Sequence, residues 1–395
     1  MFADLPELGS LVNSVNVRGY QVTTDQYRAE GAHPIVDQGK KLICGYCDAP
    51  TLPCRLPVTV FGDHTREVKF ITFPFVVGAD GTKVLEPAGD QNPRYLSALI
   101  EYAAGRISSL GYARHFKELR EARVPYTPMI AEQARVAAVL EAWDDAVAVA
   151  ERLVATRQDR FVWVQSAVLT GRVRLLGCAQ AWAATPLSRV LHEHRTTSTG
   201  AESVFSVSVH RGLIDQVEHL GRSFAAASTE HYNLVRPGDI VYTKSPTGDF
   251  PLGIIKQSKV ERAVIVSPLY GVFTPASREL GILLDAYFAS PDATLRYLTP
   301  LVQKGAKNTI AVTNTQFLQG RVILPSDSAE TAMLASLVET CLSEARTAES
   351  QITLLRRQKH GLMHKLLTGE WRIPAGGDSF APGGPAADRL AETAE

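Results

Sequence analysis

The stretch Ser109-Leu110-Gly111-Tyr112-Ala113-Arg114-His115-Phe116-Lys117 sets two aromatic rings among an arginine, a histidine and a lysine. Arg106, Arg120 and Arg123 flank it, and Glu118 and Glu121 dilute its charge. Cationic side chains hold phosphates, and polar donors beside them read base edges, so Tyr112, Arg114, His115 and Lys117 suit contact with nucleic acid. The competing reading is a solvated helix entry whose long stems cover apolar surface. Three other clusters carry the same chemistry: His64, Thr65 and Arg66 with Lys69; Lys244, Ser245 and Thr247; and His210 with Arg211. Lys304, Lys307 and Asn308 form a further basic zone. Each of these is also compatible with ordinary solvated surface.

Cys44, Cys47 and Cys54, with His64 as a fourth ligand, have the donor types of a zinc site. Yet Ile43 to Cys47 reads as a strand entering a turn, no second CxxC follows, and buried free cysteines are common. No cofactor is expected. Signatures of catalysis are missing too: there is no GxxxxGK[ST], no GxGxxG after a strand and no HExxH. Asn92-Pro93-Arg94-Tyr95 lacks the second proline of an amino-methyltransferase motif and opens a helix instead. The chain reads as a binder rather than an enzyme.

Two mixed blocks present these clusters. In the first, Pro57 to Phe61 reads as a strand, Gly62 to Arg66 as a polar turn, and Val68 to Val77 as the returning strand; Pro93 to Arg106 reads as a helix. In the second, Ser203 to Val209, Gly238 to Tyr242, Leu252 to Ile255 and Ala263 to Val266 read as strands. Each block leads into a long helical stretch. Ala131 to Gln158 contains neither Gly nor Pro and is rich in Ala, Glu and Arg. Leu140, Val147, Val154, Phe161 and Val168 fall seven apart, with Trp143, Ala150 and Val164 three residues after members of that set. Arg157 interrupts this heptad seam. A second stretch, about 328 to 368, carries Val338, Ala345 and Ile352, and Cys341, Ala348, Leu355 and Leu362. Such a seam needs a partner: each helix packs on its own domain, or the two seams, which share one period, pack on each other, and antiparallel pairing of two head-to-tail units then places the blocks at opposite ends.

The two stretches also repeat in sequence. Leu169-Thr170-Gly171 returns as Leu367-Thr368-Gly369, 198 residues on. At that offset Arg123-Val124 meets Arg321-Val322, Ala131-Glu132 meets Ala329-Glu330, Ala150-Glu151 meets Ala348-Glu349, and Arg174 meets Arg372. Constant helices separated by unlike blocks suggest two different readers on one frame.

Composition bounds the rest. A length of 395 residues suffices for two full cores, and 45% hydrophobic with 21% charged residues is ordinary for a globular chain. No apolar run reaches the roughly 18 residues of a membrane span, no secretory signal is visible, and five cysteines give no disulfide framework, so a cytoplasmic location is expected. A formal net charge of zero counts against strong nucleic-acid binding by the isolated chain and fits binding inside a larger complex.

With these features in place, the chain resembles the specificity subunit of type I restriction-modification systems, over nearly all of residues 1 to 373. The helix-terminal segments QSAVLTGRVRL (165–175) and KHGLMHKLLTGEWRI (359–373) look like the family's conserved-region endings. Pro128-Met129-Ile130-Ala131-Glu132-Gln133 looks like its helix entry; the second copy keeps Pro325 and Glu330 but has Thr331 where glutamine is typical. GYARHFKEL (111–119) and VFGDHTREVKFITFPF (60–75) are similar to a recurring target-recognition domain. Leu5, Leu8 and Leu11 open the first domain with no lead segment, a departure from the pattern.

The resemblance implies an α/β fold: two α/β target-recognition domains separated by two long antiparallel coiled-coil helices in a pseudo-two-fold internal repeat. The implied division is 1–127 and 171–326 for the recognition domains, 128–170 and 327–370 for the helices, and 371–395 for a Gly/Pro/Ala-rich tail expected to be disordered. It implies recognition of a bipartite site in double-stranded DNA. It also implies docking of two methyltransferase subunits per chain on the helices, with restriction subunits in the full complex and all catalysis in partner chains. Glu132, Gln133, Trp143, Leu169, Glu330 and Leu367 are the expected partner-binding residues. The other readings are a helical scaffold without a DNA role, and the specificity subunit of a methylation-only defence system.

Overall fold

A glycine in the left-handed region ends a helix cleanly, because only glycine adopts that conformation without strain. Gly171 (φ +73°) and Gly369 (φ +71°) do this for the two longest helices in the computed structural model. The two endings make the same hydrogen bonds. Gly171 N donates to Val168 O as Gly369 N does to Leu366 O, and Val173 N donates to Ala167 O as Trp371 N does to Lys365 O. The Thr170 hydroxyl donates to Ser166 O as the Thr368 hydroxyl does to His364 O, each at 2.8 Å.

The structure describes residues 5–107, 114–216, 229–304 and 310–374; the expected disordered tail lies almost wholly outside them. The strands are β1 Val12–Ser14, β2 His33–Val36, β3 Gly45–Cys47, β4 Val58–Gly62, β5 Val68–Ile71, β6 Val76–Val77, β7 Thr82–Pro87, β8 Ala183–Pro186, β9 Leu191–Glu193, β10 Phe205–Ser208, β11 Gly212–Asp215, β12 Asn233–Val235, β13 Ile240–Tyr242, β14 Ile255–Gln257, β15 Val264–Val266 and β16 Gly271–Pro275, with three short ones after them. The helices are α1 Pro93–Arg106, α2 Phe116–Glu121, α3 Ile130–Trp163, α4 Arg278–Phe288, α5 Pro291–Leu298, α6 Asn314–Gln319 and α7 Ser328–Leu367; a π-helical turn, Val164–Val168, continues α3.

The chain divides into two units, residues 1–150 with 351–395, and residues 151–350. The division passes through both long helices, so each unit holds part of α3 and part of α7.

In the first unit an antiparallel sheet runs β1-β7-β4-β5. A smaller sheet, β3-β2-β6, contains the parallel pair β2–β6; the other named pairings are antiparallel. Among the described residues the fold is thus mixed helix and sheet without a parallel crossover core. Strand β4 is buried along its whole length because both its faces are covered. Phe61 faces a cluster with Leu85, Tyr95, Leu96, Leu99 and Ile100, while Val58 and Val60 join Val36, Ile71, Phe75 and Val84. Helix α1 starts where its sequence says: the Asn92 side chain accepts from Arg94 N and Tyr95 N, with Pro93 in the first turn. The strand expected over Val68 to Val77 is instead two strands in different sheets, because Pro74 cannot donate to a ladder and the chain turns there. From α3 and α7, Val136, Leu140, Met363, Leu366 and Leu367 complete the first cluster. Asp144 of α3 accepts from Arg94 at 2.6 Å and pairs with Lys359 of α7 at 2.6 Å.

In the second unit the sheet runs β14-β13-β16-β9, and α4 packs on it. Tyr242 and Phe273 stack on Phe317, centroids 5.0 and 4.9 Å apart, with Phe288 and Tyr297 edge-on to each other. Strand β14 begins at Ile255, later than expected, because Gly253 (φ +104°) bends the segment before it. Val164, Val168 and Leu169 pack with Leu334, Ala335, Val338 and Cys341 of α7. Arg157, the break in the heptads, pairs with Glu344 at 3.1 Å, and Arg160 pairs with the same carboxylate. None of the seam positions on either helix is exposed.

Arg174 clasps Glu330 with two bonds, 3.0 and 2.8 Å, and Glu330 is fully buried. Removing one partner strands a buried charge, whereas removing both does not. Arg174→Met is therefore expected to cost the second unit about 3 kcal/mol in chemical unfolding. Arg174→Met/Glu330→Met should lose clearly less; a double variant as unstable as the single would refute this account of the pair.

Candidate nucleic-acid interface

Turns at one end of a sheet are free to face a ligand because their side chains are not needed for the ladder. In the first unit, three turns and the segment before α2 are tied into one cluster. The His64 backbone N–H donates to the Gln38 side-chain oxygen at 3.2 Å, and the Thr65 hydroxyl donates to Gln38 O at 2.5 Å. The Gln38 amide donates to Asp80 O at 2.8 Å, and Asp63 N donates to Gly81 O at 2.8 Å. Asp63, buried, then accepts from His115 N with its backbone oxygen (2.9 Å) and from Phe116 N with its carboxylate (2.8 Å). Arg66, at φ +61°, turns its guanidinium to Ile107 O at 2.6 Å. Arg114 reaches Asp80 at 3.3 Å, both side chains exposed.

His64, Thr65, Arg66 and Arg114 are thus brought together. Lys117 stands on α2, exposed and 3.8 Å from Glu121. Tyr112 lies outside the described residues. Two expectations fail. Lys69 is buried and points inward, donating to Asp37 O (2.7 Å) and Lys41 O (2.5 Å), with the Asp37 carboxylate 3.7 Å away. Burial lowers its ammonium's pKa, and Asp37 partly restores it. His115 is also buried, its Nδ1 without a hydrogen-bond partner and 3.8 Å from Glu118, so its ring is not presented to a ligand.

In the second unit His210 and Arg211 are exposed in the β10–β11 hairpin turn. Lys244, Ser245 and Thr247 occupy the turn between β13 and β14, with Ser245 and Thr247 exposed and Lys244 at φ +58°. Burial lowers the Lys244 pKa, and Glu193 opposes that shift. Lys307 and Asn308 lie outside the described residues, as does the Lys304 side chain.

The expected partner-binding residues mostly face inward, another correction. Gln133 is fully buried: its amide donates to Thr127 O and its oxygen accepts from Asn92 N, which locks the start of α3 to the cap of α1. Glu132 accepts from the Thr127 hydroxyl at 2.8 Å. Glu330, Leu169 and Leu367 are core residues, and Trp143 is half-buried. These residues hold the frame. The exposed apolar side chains on α3 and α7 are others, among them Val149, Leu153, Val162, Trp163, Met333 and Leu354. Sequence reading missed them because they sit off the heptad seam. It also missed Gln38, whose only signal was a Gln-Gly-Lys-Lys turn.

The cysteines show no metal geometry. Cys44 Sγ donates to Ile35 O at 3.1 Å, and Cys47 packs with Val22, Ile35 and Val76. Among the described residues no group of three metal-ligating side chains converges. Nor is any helix among them long and apolar enough to cross a membrane.

No protein-family model matches the sequence, and no curated protein matches it. Solved structures do. The S subunit of a type I restriction-modification system from M. genitalium superposes with a TM-score of 0.56 at 11% identity, covering 92% of this chain and 95% of that one. A chain from a structural study of complex assembly and conformational transition of the type I R-M system gives 0.50 at 13% identity, covering 93% and 100%. This chain has the type I S-subunit fold. At such identities the likeness rests on the path of the backbone over nearly the full length of both chains, and it shows the fold alone.

Asp63 is what fastens the segment carrying Arg114 and Lys117 to this sheet. Asp63→Ala leaves the Phe116 N–H without its acceptor, a local cost of about 1–3 kcal/mol. Amide exchange is expected to accelerate over residues 114–121 while β4 stays protected; unchanged exchange there would contradict the role given to Asp63.

Proposed function

We propose that the chain is the DNA-specificity subunit of a type I restriction-modification complex, non-catalytic in itself. The observation that carries this reading is the S-subunit fold over 92% of the chain. The clustered polar and basic turns at one sheet end of the first unit support it, as does the exposed basic hairpin turn of the second. Each unit reads one half of a bipartite duplex site: arginines and lysines set register on phosphates, and a few side chains contact base edges. Two methyltransferase subunits dock on the long helices and cover the exposed Val149, Leu153, Val162 and Trp163; restriction subunits join the full complex. Methyl transfer and ATP-dependent cleavage belong to those partner chains. A net charge of zero is in keeping with partners supplying part of the phosphate grip.

The test is a genome-wide map of methylated bases in a host carrying this chain with its methyltransferase subunit, compared with the methyltransferase alone. One new motif with two unlike halves and a fixed spacer is the expected result. Soluble, co-purifying subunits that yield no new motif would overturn the reading in favour of a scaffold. The same map tests whether the helices set the spacer. Four residues inserted after Ala148, matched by four after Arg357 on the facing stretch of α7, add about 6 Å, near two base pairs. The spacer should lengthen while both half-sites persist; an unaltered spacer removes the ruler role. Arg114→Ala should weaken binding of the mapped duplex by about 1–3 kcal/mol if its guanidinium meets a base edge. Equal affinity of variant and parent in a titration would exclude Arg114 from the interface.

A further inference from the structure

Among the described residues of the first unit's loop cluster, nearly every cation is already engaged. Arg66 donates to Ile107 O, Lys69 lies inside, Lys83 is 3.9 Å from Asp63, and Arg114 pairs with Asp80. Lys40 and Lys41 differ: both are exposed, and no hydrogen bond or ion pair holds either ammonium. They sit in the loop between β2 and β3, and that loop is not loose. The buried Lys69 ammonium donates to the backbone oxygens of Asp37 and Lys41, which brackets the loop at both ends of the Gln38-Gly39-Lys40 tip. Gln38 ties the same loop to the turns holding Thr65 and Asp80, and Asp37 accepts from Gly39 N at 2.7 Å. Two unneutralised positive charges are therefore held on a braced backbone beside the turns already assigned to DNA.

We propose that the loop Gln38–Lys41 is the phosphate clamp of the first recognition unit, with Lys40 and Lys41 each engaging a backbone phosphate of duplex DNA and Lys69 acting from beneath as the positioning residue. This rests on the reading of the chain as a DNA-specificity subunit. A phosphate clamp fixes register without reading sequence, so its loss weakens every duplex alike. The braced backbone matters because a preorganised loop loses less freedom on binding.

The experiment uses the full chain assembled with its methyltransferase subunits. It measures affinity by fluorescence anisotropy across a salt series, on a duplex carrying the mapped motif and on a scrambled duplex. Lys40→Ala/Lys41→Ala is expected to lose affinity for both duplexes by a similar factor. The slope of log affinity against log salt should fall by nearly 2, at about 0.9 for each phosphate contact. Lys40→Arg/Lys41→Arg should retain the parent slope. An unchanged slope in the alanine variant, with the parent complex binding normally, overturns the clamp. So does a loss confined to the cognate duplex, which would mark base readout instead. Failure of the parent complex to bind either duplex is a separate result: it overturns the DNA-specificity reading itself, and the clamp with it.

Discussion

Each unit's core is closed by side chains that come from far away in the sequence, and this constraint governs the rest of the molecule. In the first unit Leu96, Leu99 and Ile100 of α1 bury against Val136 and Leu140 of α3 and against Met363, Leu366 and Leu367 of α7. In the second, Ile282, Leu283 and Ala286 of α4 bury against Val164, Val168 and Leu334. A buried aliphatic side chain is worth about 1.5–3 kcal/mol, so several of them from the helices are large beside the marginal stability of a small domain. The polar contacts then fix the register that the apolar ones leave open. Arg94 and Lys359 share Asp144, and Arg174 holds Glu330, so each long helix is located along its axis as well as around it.

The loops of the first unit follow the same logic on a smaller scale. Two buried polar groups, the Asp63 carboxylate and the Lys69 ammonium, satisfy backbone groups of segments that have no ladder partners. Burying a charge is tolerable only when it is hydrogen-bonded or paired, and both are. These interior ions shape the surface loops from below.

Much of this was legible in the residues. Asn92-Pro93 announces the start of α1, and the absence of Gly and Pro from Ala131 to Gln158 marks α3. Gly171 and Gly369 punctuate the helix ends as their positive φ requires. The site was harder. Lys69 and His115 have the composition of contact residues, but composition does not say which way a side chain turns, and here tertiary contacts turn both inward. Glu330 and Gln133 repeat or cap helices because the frame needs them, so their prominence in the sequence reflected architecture. The Lys40-Lys41 pair carried no periodicity and stood outside every motif, because a loop's role is set by what braces it.

The discontinuity of the first unit has a kinetic side. Residues 1–150 must wait for residues 351 onward before their core can close, while residues 151–350 are consecutive. At a ribosomal rate of about 5–20 residues per second, some 200 intervening residues take roughly 10–40 s to emerge. During that interval the α1 core lacks Met363, Leu366 and Leu367 of α7. Met363, Leu366 and Leu367, which line that core, are among the last described residues to be made, so the first unit is the one whose core depends on the end of the chain.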